Sequence, residues 1–188
     1  DARKSRSMGN PSVFDLVLQA RAVVYGGITK EHFAAAEQLY VRALEREPDN
    51  VPALGGFASM SAFRASSLTS IDRDADLARA ETLADRALRI DPNDQSSHHA
   101  LGLTCRLVGR FDEARSHEEA IVRLNPSSQL GHGELGWICQ FMGDHEASLS
   151  HFFKAVKLSP RDPFLHIHCI GIGLAYENID NGCQRALA

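Results

Sequence analysis

The chain has 188 residues, of which 44% are apolar and 23% charged, with a formal net charge of −4 and a pI near 6.1. This is enough for one domain with a sizeable core, and it offers no broad basic field for nucleic acid or acidic lipid. No apolar run approaches the ~20 residues that cross a bilayer, no signal segment opens the chain, and four cysteines are too few for a disulfide scaffold.

Residues 1–12 read as a polar lead-in. The cluster Ala2-Arg3-Lys4-Ser5-Arg6 is short and terminal and is taken as solvated rather than as a phosphate contact. The chain opens on Asp1 rather than Met, so it reads as a piece of a longer protein with room upstream for a signal or anchor. A cytoplasmic, reducing compartment is the expectation for its thiols.

From residue 13 onward the sequence repeats. Pro48, Pro92, Pro126 and Pro160 close the phrases ALEREPDN, ALRIDPND, IVRLNPSS and AVKLSPRD, at spacings of 44, 34 and 34 residues. A 34-residue period closed by a helix-ending proline marks one copied supersecondary unit. The expected units are about 13–48, 51–92, 95–126, 129–160 and an incomplete 163–188, all in one domain.

The first unit places its second helix at 31–47, after Gly26-Gly27. In the second unit a helix over 51–64 is followed by a ten-residue insertion, near 66–75, and a helix over 76–90. The third unit reads as helices over 95–108 and 111–124, separated by Gly109, and the fourth repeats that plan around Gly143. In the fifth, a helix over 163–177 is expected to break at 178–182 and leave only a stub, 183–188. Two residues after each proline stand Asn50, Asp94, Ser128 and Asp162, all suited to capping the next helix. Pro163 suits a first helical position.

These residues resemble the tetratricopeptide repeat, a 34-residue helix–turn–helix with small residues at set points. The matching positions are Leu101-Gly102, Gly109, Ala114 and Pro126, then Leu135-Gly136, Gly143, Phe152, Ala155 and Pro160. Ala36, Tyr40, Ala43 and Pro48, and Ala80, Ala87 and Pro92, match in the earlier second helices. Ile121 departs from the pattern where Ala is usual, and Ser148 stands at a small site. The resemblance implies an all-α fold, a right-handed superhelical solenoid of helix–turn–helix repeats. A looser resemblance links the chain to repeat modules of bacterial class III nucleotide cyclases and winged-helix regulators, which would make it the regulatory arm of a larger signalling protein.

By the same resemblance, the first helices line a concave groove through their second, fifth, ninth, twelfth and thirteenth residues. Counting from each cap gives His99, Leu103, Arg106 and Leu107 in the third unit, and Trp137, Gln140 and Phe141 in the fourth. The fifth offers Phe164 and Ile167, and the second Phe63. Ser96, Leu130, Gly133, Ser59 and Leu174 belong to the same count, as do Phe14, Val17, Arg21 and Tyr25 in the less surely aligned first unit. The set is largely apolar, with only Arg21 and Arg106 to grip an anion, so a peptide or helix of a partner protein is expected rather than a carboxylate-terminal tail. Trp137 is read either as a groove anchor or as packing against the next unit. Two further readings stay open: a groove filled by the protein itself, and a homodimer through an uncapped C-terminal repeat. A small-molecule or enzyme site in the groove is the remaining alternative.

No metal, cofactor or catalytic set is expected. His98, His132 and His166 form a ladder with one rung per repeat, about 10 Å apart, too far to share an ion. His98 with Cys105 and His132 with Cys139 repeat a seven-residue offset that rises about 10.5 Å. His145-Glu146 lacks a second histidine at the zinc-protease spacing, and Gly26-Gly27 lacks the Lys-Ser/Thr of a phosphate loop. Protonating the ladder is expected to loosen the stack.

Overall fold

The computed structural model describes residues 11–186, with side chains through residue 180. Within them the chain forms α1 (Val13–Gly26), α2 (Lys30–Arg46), α3 (Val51–Ser66), α4 (Arg73–Ile90), α5 (Gln95–Leu107), α6 (Phe111–Leu124), α7 (Gln129–Met142), α8 (His145–Leu158) and α9 (Leu165–Ala186), and no strand. The basic cluster at residues 2–6 lies outside the described residues.

Local chemistry sets the punctuation. The side chains of Asn50, Asp94 and Ser128 accept from the backbone N–H groups of Ala53, Ser97 and Gly131, at 3.1, 2.8 and 3.2 Å. Each satisfies a donor that the first turn leaves unpaired. Ser12 and Asp15 form a reciprocal capping box at the start of α1. Gly109 and Gly143 turn the chain between paired helices with φ of 81° and 83°, a conformation that residues with a Cβ avoid.

The second helices bury one stripe each, at equivalent distances before the closing proline. In α2 it is Phe33, Ala36, Tyr40 and Ala43, and in α4 it is Leu77, Ala80, Ala84 and Ala87. In α8 it is Ser148, Phe152 and Ala155. This i, i+3, i+7 spacing is the inner face of a helix. Each second helix packs on the first helix of its own unit and on that of the next, while the first helices stack in series from α1 to α9. The product is an all-α solenoid. The closest stacking is α3 on α5, where Gly55 leaves no room for a Cβ against Asp94 and Ser97.

The structure corrects three expectations. The ten-residue insertion contracts to a loop over 67–72, because both flanking helices lengthen. Asp72 caps α4 by accepting from Ala75 N–H at 3.0 Å, and buried Asp76 pairs with Arg64 and accepts from Ser70 Oγ at 2.8 Å. Second, no break occurs at 178–182: α9 runs unbroken to Ala186, with no proline to stop it, and the Asn178 side chain donates back to the Leu174 carbonyl at 2.9 Å. The expected stub at 183–188 is therefore helical through 186, and the fifth unit is a single long helix. Third, Pro163 does not open a helix. The Asp162 carboxylate accepts from Phe164 N–H at 2.7 Å in a tight turn, and α9 begins one residue later.

Candidate functional site

The first helices and the turn before α9 surround a cavity of about 580 Å³. Twelve of the fifteen positions counted in units two to five line it: Phe63, His99, Leu103, Arg106, Leu107, Trp137, Phe141, Phe164 and Ile167, with Ser59, Ser96 and Leu130. Gly133 and Leu174 fall outside the lining. So does Gln140; its side chain turns to His145 Nδ1 at 3.1 Å, away from the cavity. Of the less surely aligned positions, Arg21 and Tyr25 line the cavity. Val17 is buried in the core with Leu16 and Phe33, and Phe14 faces outward.

One wall is a stack of π surfaces and a cation. Phe111 and Phe141 lie parallel at 5.9 Å, and the Arg106 guanidinium sits over Phe141 at 5.7 Å. Arg106 Nε donates to Glu134 at 2.7 Å. That guanidinium overcomes the burial that would otherwise raise the Glu134 carboxyl, and holds it below the usual carboxylate range. The cation therefore already has a partner, which removes half of the small anion-binding capacity read from the sequence. Trp137 faces the cavity, and its other ring contact is within its own unit rather than with the next one. It lines the cavity beside Phe141, ring centres 6.2 Å apart, and packs edge-on against buried Phe152 at 5.2 Å.

Beneath this wall lies a polar pair. Glu118 is wholly buried, and its Oε1 meets His99 Nδ1 at 3.2 Å, while Oε2 has no partner among the described residues. Burial pushes the Glu118 carboxyl up to about 7 despite the neighbouring imidazole. Burial alone would lower His99, but the Glu118 carboxylate more than offsets this and raises it. Next to it, His168 meets the Gln129 amide at 2.7 Å, in space that a Cβ on Gly133 would fill. Glu118, Glu134, Gln129 and His168 were missed by counting. Glu118 left a signal, since a carboxylate stands where neighbouring units carry Tyr40, Ala84 and Phe152.

The cavity is also bridged. The Phe164 ring lies edge-on to Phe63 at 5.4 Å and tilted against Tyr25 at 6.0 Å, so the fifth unit touches the first and second across the concave side.

The histidine ladder acquires partners. His98 Nδ1 lies 3.1 Å from His117 Nδ1, and His132 Nδ1 lies 3.1 Å from His151 Nδ1, one repeat on. The Nε2 atoms of His98 and His132 meet the carbonyls of Pro92 and Pro126 at 3.0 and 3.2 Å. Among the described residues no three His, Cys, Asp or Glu side chains gather closely enough for a metal ion. Cys105 and Cys139 are free and buried, and burial raises both thiols. No helix among the described residues is long and apolar enough to cross a membrane.

Comparison with known proteins identifies the unit. A family model described as tetratricopeptide repeat matches residues 132–162. The fold is similar to a crystal structure of MamA protein, at 18% identity, covering 89% of this chain and 81% of that one with a TM-score of 0.58. It is also similar to TTC0263, a thermophilic TPR protein in Thermus thermophilus, at 19% identity over 85% of this chain and 97% of that one, with a TM-score of 0.53. A second MamA structure covers 90% of this chain and 98% of its own at 15% identity and a TM-score of 0.53. At such identities the likeness is one of fold. No curated protein sequence matches the chain. Residues 132–162 thus match one tetratricopeptide repeat, and the chain as a whole shares the helical solenoid fold of these structures.

Proposed function

We propose that the concave face of this repeat solenoid binds an extended polypeptide segment of a partner, with bulky apolar side chains entering the cavity. One observation carries the reading: twelve residues counted from successive repeats converge on a single cavity whose walls are mostly aliphatic and aromatic. Its size falls in the range of about 300–1,000 Å³ typical of ligand sites. A helix, about 10–12 Å across with its side chains, would have to part the Phe164 bridge along its length. An extended strand is narrower and offers alternate side chains to the wall.

Phe141 is the cleaner anchor to test, because it is 55% exposed whereas Trp137 also supports Phe152. Loss of a central aromatic anchor costs on the order of 2 kcal/mol or more. Titration of a captured partner against wild type and Phe141→Ala is expected to show a loss of that size. Trp137→Ala should weaken binding further and also lower stability. Unchanged affinity in a folded Phe141→Ala protein would exclude the concave wall as the binding surface.

A further inference from the structure

We infer that Phe164 occupies a seat for an aromatic side chain, and that the segment recognised by the concave face carries an aromatic residue that displaces it. This deepens the reading above and rests on it. The seat is built from both ends of the solenoid. Tyr25 ends α1 and Phe63 lies near the end of α3, whereas Phe164 comes from the turn between α8 and α9. Phe63 is itself edge-on to Phe33 in the core, ring centres 6.0 Å apart, so this half of the seat is fixed by packing. Edge-to-face and tilted arrangements at these separations are those that aromatic rings prefer.

The bridge differs in kind from the other contacts of the fold. Helices pack on neighbours near in sequence, and α9 packs on α7 and α8. Phe164 instead reaches residues about one hundred or more positions away by side chain alone, with no helix of the fifth unit packed on α1 or α3. Its turn is held locally, through the Asp162 carboxylate to Phe164 N–H and Asp162 N–H to the Ser159 carbonyl at 3.2 Å. Withdrawing the ring therefore leaves the helix packing in place. Nor is the seat sealed: Tyr25 is 57% exposed and Phe164 only half-buried, with open cavity beyond them. An incoming aromatic ring finds the same two partners that Phe164 now holds. The tethered ring competes at high effective concentration, so it sets a threshold that a weak or non-aromatic segment does not pass.

The test uses two synthetic peptides that copy residues 158–168 of this chain, one unchanged and one with alanine in place of the phenylalanine. Each is titrated calorimetrically into the wild-type chain and into Phe164→Ala, with Phe164→Leu as a second variant should the alanine protein fail to fold. The phenylalanine peptide is expected to bind the emptied seat at least ten-fold more tightly than it binds wild type, with an intermediate value for Phe164→Leu. The alanine peptide is expected to bind neither protein. Equal affinities for wild type and variants, equal binding of both peptides, or no binding to an emptied seat would each overturn the proposal. Its failure is separable from that of the concave-face reading. If the peptides do not distinguish the proteins while Phe141→Ala still weakens partner binding, the seat is wrong and the groove stands. If they do while Phe141→Ala changes nothing, the seat stands alone.

Discussion

Glu118 and Phe152 occupy one position in successive repeats, eight residues before the closing proline, and both are completely buried. Each projects into space left by a glycine of its own unit, Gly102 for Glu118 and Gly136 for Phe152. Their surroundings differ. Phe152 meets Trp137 edge-on and His168 at 6.0 Å, and a Cβ on Gly171 would strike its ring. Glu118 meets His99 and leaves one carboxylate oxygen unpartnered among the described residues. The fourth unit is thus held by apolar contact directly beneath Trp137. The third gives up that burial for a titratable pair whose imidazole lines the cavity. The repeat geometry sets where a side chain goes, and the neighbouring helix decides what chemistry that place can hold.

The largest effects come from breaking each side of this comparison. Phe152→Ala is expected to cost about 3–5 kcal/mol, as large-to-small changes of a buried aromatic do. Glu118→Ala is expected to cost about 3 kcal/mol, because the buried His99 imidazole loses its polar partner. Urea unfolding of both proteins measures the difference. A Glu118→Ala protein as stable as wild type would mean that the pair contributes nothing to the third unit.

A smaller effect sharpens the comparison by pH. A Glu118 carboxyl raised to about 7 takes up protons more readily in the folded chain than in the unfolded one, whose ordinary value is 4.5. His99, also raised, has the same sign. The stability this pair contributes is therefore present in acid and is lost as pH rises through about 7. Glu118→Gln removes most of that dependence. The stability gap between wild type and Glu118→Gln is expected to narrow from pH 6 to pH 8; a gap that widened would reverse the assignment.

The smallest effect runs the other way. Burial, and then the partner imidazoles, lower His117 and His151, and burial lowers His132 despite the Pro126 carbonyl. Around His117 stand His98, Glu113, Asp85 and Arg110, and around His151 stand His132, Lys154, Arg115 and Glu119. With folded values depressed, this stability is present above the unfolded imidazole value near 6.5 and is lost as pH falls below it. Exchange protection in α7 and α8, corrected for the intrinsic pH dependence of exchange, is expected to fall between pH 7 and pH 5 relative to α3 and α4, whereas in α5 and α6 the Glu118 pair opposes it. Uniform exchange along the solenoid would contradict this.

Much of the fold was legible because a repeat writes its own index. The prolines, caps and small positions each mark the same register, and twelve of the fifteen positions counted along it line one cavity, Gln140, Gly133 and Leu174 excepted. Local competition was harder to see. Nothing in the spacing says that Asp72 caps α4 early, or that Gln140 turns to His145. The partners of the histidine ladder were hidden because His117 and His151 sit on the second helices, nineteen residues away. The Phe164 bridge depends on how much small displacements between units accumulate along the stack, which no local pattern encodes. Glu118 reads from the sequence as one more solvated carboxylate of a second helix; that it is buried against His99 follows only from the packing of α5 on α6.

The central claim is that the concave face, rather than the outer helices, takes the partner segment. Site-specific photo-crosslinking tests it most directly, with a benzoylphenylalanine at position 107 on the cavity and another at position 119, exposed on α6. Polypeptide adducts are expected at 107, strongly reduced in the Phe141→Ala background, and none at 119. Adducts confined to 119, or adducts at 107 undiminished by Phe141→Ala, would contradict that claim.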